Sequence, residues 1–247
     1  MVEDGQGVVP VVGAAAFDVN LKLDVRGLVT WRASFSRTHL RSAALLASRA
    51  AVLDPDASPV ASDMGIERVA CTTAAILTAV AAIEAAVSEV YVAAVEQQEL
   101  AAASASPREK ALAAQWETVE GKPTLDGKAK LALRVVGKGT SDLVCWEDIT
   151  DLFKLRNILT HYTAGPIVGT SSTPDVFIHE GNKRLRDVEK SLSNNTKLKR
   201  GMSVDTPYFP FPYLNGSCAT WAVELSCKFI DDFCALMGHP SPLAQGN

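Results

Sequence analysis

Residues 69–95 read VACTTAAILTAVAAIEAAVSEVYVAAV, and their pattern determines the expected fold class. The larger apolar side chains recur three and four positions apart along one stripe, formed by Ile76, Val80, Ile83, Val87, Val90, Tyr91 and Ala94. Because an α-helix completes a turn every 3.6 residues, this spacing predicts one long helix from about Asp63 to Ala103. Its uncharged run ends at Glu84 and is shorter than the roughly 20 apolar residues of a membrane span, so we expect no transmembrane segment.

Further helix-forming segments follow this long helix. They cover residues 107–116, 125–136, a stretch from Ser141 or Asp142 to Thr163, 182–192 and 216–237. The break at Gly165-Pro166 is a typical helix stop, and the remainder of residues 166–206 indicates loops. We therefore predict a mainly α protein, an up-and-down bundle of five or six helices over residues 62–238, followed by a disordered tail over 239–247.

The N-terminal part of the chain has a different pattern. Apolar and polar residues alternate from Phe17 to Val25, and a second β-prone run covers residues 28–35. This period of two predicts a β-hairpin, after which residues 38–53 are rich in Ala, Leu and Arg and predict a helix. The proline-containing segment 54–59 cannot continue that helix, so we assign residues 1–57 to an N-terminal extension.

Composition narrows the class of protein. The chain has 247 residues, is 47% hydrophobic and carries a formal net charge of −4. These values are typical of a soluble globular protein and argue against a disordered chain or a strongly basic duplex-binding protein. The first residues, Met1-Val-Glu-Asp-Gly5, are acidic where a signal peptide is basic, so we expect a cytoplasmic protein. Five cysteines without a C-x-x-C motif and four histidines without paired spacing predict neither a metal site nor a cofactor.

One segment combines a helical core pattern with unusual polar residues. Residues 151–162 read DLFKLRNILTHY, in which Arg156, Asn157 and His161 lie beside an apolar stripe. Asn157 and His161 are four positions apart and therefore neighbours on a helix surface. Arg156 is about 140° around the helix from His161, but its side chain is long enough to reach across. We expect a guanidinium, an amide and an imidazole to converge near the end of this helix.

The Arg-Asn-x-x-x-His arrangement near a helix end resembles the signature of the HEPN family. The stretches 81–89 and 218–233 also resemble the flanking helices of bacterial HEPN-like proteins, and the resemblance covers about residues 62–238. A second pair at the permitted spacing, Arg32 and His39, is regarded as accidental because Arg32 is followed by Ala33 in a β-prone run.

The resemblance implies a metal-independent endoribonuclease, such as a toxin or phage-defence effector. In many HEPN enzymes two protomers pair so that two copies of the motif face one cleft, and RNA is cut through attack by the neighbouring 2′-hydroxyl. His161 would then transfer protons, Arg156 would hold the phosphate, and Asn157 would orient the imidazole or the phosphate. RNA, a second copy of the chain and an antitoxin are the partners that the resemblance suggests.

The same residues also permit a non-catalytic interpretation. Arg156 could pair with a carboxylate such as Glu84, Asn157 could cap or bridge helices, and His161 could satisfy a carbonyl group. Glu84 could orient the arginine or lie at the edge of the bundle, and Tyr162 could belong to the core or reach a ligand. The alternative function is therefore a helical interaction or nucleotide-binding module.

The last candidate feature is a locally basic segment in the second half of the chain. Lys183, Arg184 and Arg186 lie on the helix predicted over 182–192, and further cations follow up to Arg200. They are candidate RNA contacts, although such runs also occur as ordinary solvated helix faces.

Overall fold

The computed structural model describes residues 19–23, 29–53, 62–100, 103–121, 124–161, 167–170, 173–179, 183–195, 198 and 209–244. Over these residues the helices are α1 (Phe35–Ala51), α2 (Asp63–Leu100), α3 (Pro107–Gly121), α4 (Leu125–Val135), α5 (Trp146–Thr160), α6 (Lys183–Ser193) and α7 (Gly216–Leu236). The strands are β1 (Val19–Leu23), β2 (Val29–Ala33), β3 (Ile167–Thr170) and β4 (Thr173–His179). The protein is therefore mainly helical, as the sequence predicts.

Helix α2 forms the centre of the bundle. It packs against α1, α3, α4, α5 and α7, and the residues of its predicted apolar stripe are all buried. Among the described helices, α2 is the one long and apolar enough to cross a membrane by length and composition, and 44% of its most apolar window is buried. Packing on several sides by other helices is consistent with its being the core helix of a soluble bundle.

Helix α1 shares this core although the sequence placed it in an N-terminal extension. It packs against both α2 and α7, with Leu40 and Ala43 in the main apolar cluster. The strands before it, β1 and β2, pair antiparallel with Val19 opposite Ala33. They fall within the two β-prone runs of the sequence, but the second run ends at Ala33, because Ser34 is the N-cap of α1 and Phe35 its first residue.

Strands β3 and β4 were not expected, because the sequence indicated only loops between Pro166 and the basic helix. They pair antiparallel with Ile167 opposite His179, and the register shifts between Gly169 and Thr170. A four-residue strand is too short for an alternating pattern to stand out, and a register shift breaks the alternation further. Loop was therefore the wrong prediction for these residues.

Several boundaries also differ from the sequence prediction: α1 begins at Phe35 rather than at residue 38, and α3 continues to Gly121 rather than ending at residue 116. The helix expected from Ser141 or Asp142 begins only at Trp146, because residues 140–142 form a separate 3-10 turn. In that turn Asp142 accepts a hydrogen bond from the Gly139 N–H at 2.9 Å, and the chain bends before α5. The tail predicted over residues 239–247 is described as far as Ala244, where Ser241 donates to Asp231 at 2.5 Å and Leu243 packs on the core.

Candidate functional site

Helix α5 presents the candidate site because its two sides have opposite character. Its apolar side chains Ile149, Leu152, Leu155 and Ile158 are buried in the bundle. Helix α5 also packs against α2, α6 and α7, which together fix its orientation. The polar residues of the sequence motif lie on the remaining surface, so the burial of one side of α5 determines where those residues stand.

Arg156 lies on the flank of α5 that faces α2, and its side chain is 28% exposed. One terminal nitrogen, Nη1, donates a hydrogen bond to Oδ1 of Asn157 at 3.0 Å. The other, Nη2, lies 3.8 Å from Oε2 of Glu84 on α2. The guanidinium is thus held between its sequence neighbour and a carboxylate of the central helix.

His161 occupies the position directly after the last residue of α5. It is exposed, and its backbone N–H donates to the carbonyl oxygen of Asn157 at 3.0 Å. Among the described residues, its imidazole makes no hydrogen bond or ion pair, so it does not satisfy a carbonyl group there. The ring is therefore accessible to a ligand.

Asn157 lies between Arg156 and His161 around the axis of α5. At about 100° per residue, Asn157 stands some 40° around the helix axis from His161, whereas Arg156 stands about 140° away from it. The hydrogen bond to Asn157 draws the guanidinium from the α2 side toward the face that carries the imidazole. Within the described part of the chain no hydrogen bond joins Arg156 to His161 directly. Asn157 bonds to Arg156 and does not cap or bridge helices through the contacts that the structure gives it.

Of the two predicted supporting residues, Glu84 and Tyr162, the structure describes only Glu84. Glu84 is 46% exposed and lies beside Arg156, so it is both at the bundle edge and close enough to orient the arginine. Tyr162 lies outside the described residues.

Cys145, which precedes α5, is no nucleophile for this site, because burial raises the pKa of its thiol and keeps it protonated at neutral pH.

The predicted RNA contacts lie on α6, which adjoins α5. Lys183 and Arg186 are exposed, and Arg184 is part of the helix with its side chain outside the described residues. Two hydrogen bonds connect α6 and the residues after it to α5. Ser191 donates to Oδ2 of Asp151 at 2.5 Å, and Asn195 donates to Oδ1 of Asp148 at 3.3 Å.

Asp151 has a role that the sequence did not reveal. The sequence favours it, with Glu147 and Asp148, as a first-turn acid that interacts with the helix dipole. Glu147 and Asp148 occupy that turn, but Asp151 lies one turn later, accepts from Ser191 and pairs with Lys154 at 2.9 Å. The prediction for Asp151 was wrong because α5 begins at Trp146, which leaves Asp151 beyond the first turn. Its partner Ser191 is 40 positions away, and no local pattern records a contact at that separation.

Among the residues that the structure describes, no group of three or more His, Cys, Asp or Glu side chains is placed to hold a metal ion. The candidate site therefore consists of Arg156, Asn157 and His161, with Glu84 behind the arginine.

No protein-family model, curated protein or solved structure matches the chain. The function is accordingly argued from the geometry of the site.

Proposed function

We propose that the protein is a metal-independent endoribonuclease of the HEPN type, with Arg156, Asn157 and His161 as its site. The observation that carries this proposal is the 3.0 Å hydrogen bond from Arg156 to Asn157, beside an exposed imidazole. Arg156 supplies an anion-binding group and His161 a proton-transfer group near the C-terminal end of α5, and Asn157 holds the arginine between them. Those two functions are what cleavage of a phosphodiester through its 2′-hydroxyl requires.

The chemistry assigns one role to each group. His161 takes the proton of the 2′-hydroxyl or gives one to the leaving 5′-oxygen, and the Arg156 guanidinium holds the phosphate oxygens through two parallel N–H donors. A concerted cleavage needs a base and an acid at once, and one imidazole cannot serve as both. We therefore include a homodimer, whose second His161 supplies the other proton transfer. A toxin or phage-defence effector in the cytoplasm, restrained by an antitoxin, is the physiological setting that we propose.

The test uses the purified full chain and a labelled single-stranded RNA in the presence of a chelator. We expect cleavage that leaves a 2′,3′-cyclic phosphate, and we expect His161→Ala to lose it by at least about a hundredfold, as is typical when a general acid-base group is removed. The matched control is His39→Ala on α1, whose ring contacts Phe35 and lies on another helix. Equal activity of the His161→Ala protein and the parent would exclude this site.

A second candidate function, a non-catalytic interaction or nucleotide-binding module, is favoured by one observation. Arg156 approaches Glu84, which is the pairing expected of a structural arginine. Under this alternative the purified chain cuts no RNA with chelator present, yet Arg156→Ala weakens binding of a nucleotide or partner. The cleavage assay therefore separates the two candidates directly.

A further inference from the structure

The exposed face of α6 carries its cations in one line. Lys183, Arg186 and Lys190 are all exposed and are spaced three and four residues apart, so they fall within about 60° of one another around the helix. The opposite side buries Leu185 and Val188 against the core. Seven residues of helix place Lys183 and Lys190 about 10 Å apart along the axis, a span that adjacent phosphates of a single strand can cover.

The junction with α5 continues this basic surface toward the candidate site. Asp151 accepts from Ser191 of α6 with one oxygen and pairs with Lys154 of α5 through the other. Ser191 is the residue after Lys190. The ammonium group of Lys154 is therefore held at the seam between the two helices, next to the end of the α6 cations.

Lys154 also shares a face of α5 with the site itself. It is three residues before Asn157 and seven before His161, which places all three within about 60° around the helix axis. Lys154 is exposed, as is His161. An RNA strand that is bound at His161 and extends along this face therefore reaches Lys154, about 10 Å away along the helix axis. Beyond Lys154 it reaches the cations of α6.

Acidic side chains accompany these cations, and Lys154 is itself paired with Asp151. On the exposed face of α6, Asp187 stands among the three cations, and within the described side chains no ion pair joins it to Lys183 or Lys190. On α5, Glu147 is exposed two turns before Lys154. Helix α6 has more basic than acidic residues, with Lys183, Arg184, Arg186 and Lys190 against Asp187 and Glu189, on a chain whose formal net charge is −4. A local excess of positive charge concentrates a polyanion there.

We propose that Lys154, Lys183, Arg186 and Lys190 form one phosphate-binding track that carries single-stranded RNA away from the Arg156–His161 site on the α6 side. This inference rests on the proposed function and adds the substrate's form: an extended single strand with several nucleotides on one side of the cleaved linkage. A dinucleotide occupies the site without touching the track.

The experiment measures binding of a 12-nucleotide single-stranded RNA to the full chain carrying His161→Ala, over a series of salt concentrations. Adding Lys183→Gln and Lys190→Gln removes two cations of the track. The matched control is Lys110→Gln with Arg134→Gln, two exposed cations on α3 and α4. We expect the track variant to bind about tenfold more weakly, with a slope of log Kd against log salt lower by about 1.4, since each phosphate contact of a single strand contributes about 0.7. The control should match the parent.

A second arm uses the same substitutions with His161 intact. The KM for the 12-nucleotide RNA should rise by a larger factor than the KM for a dinucleotide, because the dinucleotide does not reach the track. An unchanged salt slope, or an equal loss in the control variant, would overturn the track. If the parent cuts no RNA but the track variant still has a lower salt slope than the parent, the nuclease proposal is refuted and the track is not. Cleavage that is indifferent to the track variant would refute the track alone.

Discussion

The carboxylate of Glu84 lies 3.8 Å from the guanidinium of Arg156 and so connects the central helix α2 with the helix of the candidate site. Both side chains are partly exposed, at 46% and 28%. Ion pairs in such surroundings contribute at most about 1 kcal/mol to the free energy of unfolding. A large effect of Glu84 on activity with a small effect on stability would therefore mark it as a positioning residue.

Replacing Glu84 by Gln tests this relationship. The substitution keeps the shape of the side chain but removes the charge, so the guanidinium loses one of its two anchors. We expect kcat for RNA cleavage to fall about tenfold and Tm to fall by no more than about 4 °C, as a loss of up to 1 kcal/mol implies for a chain of this size. Glu99→Gln, at the exposed end of the same helix, is the control. Unchanged cleavage with a larger fall in Tm would assign Glu84 to structure only.

Asn157 is expected to act through Arg156, because its side-chain oxygen accepts a hydrogen bond from the guanidinium at 3.0 Å. Asn157→Ala should lower kcat about tenfold, since the arginine then rests on Glu84 alone. In a protein that already carries Arg156→Ala, the same substitution should change the rate by less than about twofold, because two residues that act through one group are not additive. A full tenfold loss in that background would show that Asn157 contacts the substrate independently.

The sequence predicted those features that a local pattern records. The apolar stripe of α2 identified the central helix, and polar residues beside the apolar stripe of α5 suggested the candidate site. The pairing of Arg156 with Glu84 was one of the alternatives, because few charged groups interrupt α2. The contact between Asp151 and Ser191 could not be predicted, since it depends on how α6 lies against α5 after a connection that includes β3 and β4. Strand pairs and helix contacts of this kind are set by tertiary packing rather than by spacing along the chain.

Glu89 on α2 provides the first turn of α1 with hydrogen-bond acceptors. Its carboxylate accepts from the Ser36 N–H at 3.1 Å, from the Ser36 hydroxyl at 2.8 Å and from the Ser34 hydroxyl at 3.2 Å. Ser34 is the N-cap of α1 but makes no side-chain capping bond of its own. The buried Ser36 thus depends on a residue 53 positions away.

We expect Glu89→Ala to lower the free energy of unfolding by about 2 kcal/mol, because it removes charge-assisted hydrogen bonds and leaves buried donors unpaired. Urea denaturation followed by circular dichroism measures this as a lower midpoint with an unchanged m-value. Glu99→Ala removes an equal charge from the exposed end of α2 and should stay within about 0.5 kcal/mol of the parent. If the two variants lose the same stability, the carboxylate of Glu89 does not hold α1 in place.

Gly216, the first residue of α7, lies close against the backbone of α1. A Cβ atom there would lie 2.6 Å from Cα of Ala51 and 2.9 Å from its nitrogen, and these are backbone atoms that cannot rotate away. Gly216→Ala should therefore force the helices apart and cost about 1–3 kcal/mol, as overpacked sites do. Gly121→Ala is the matched control, because a Cβ atom at that end of α3 would meet no other atom within 4 Å. Alanine favours helix over glycine, so that variant should be neutral or up to about 1 kcal/mol more stable in urea denaturation. A Gly216→Ala protein as stable as the parent would contradict the close packing of α7 on α1.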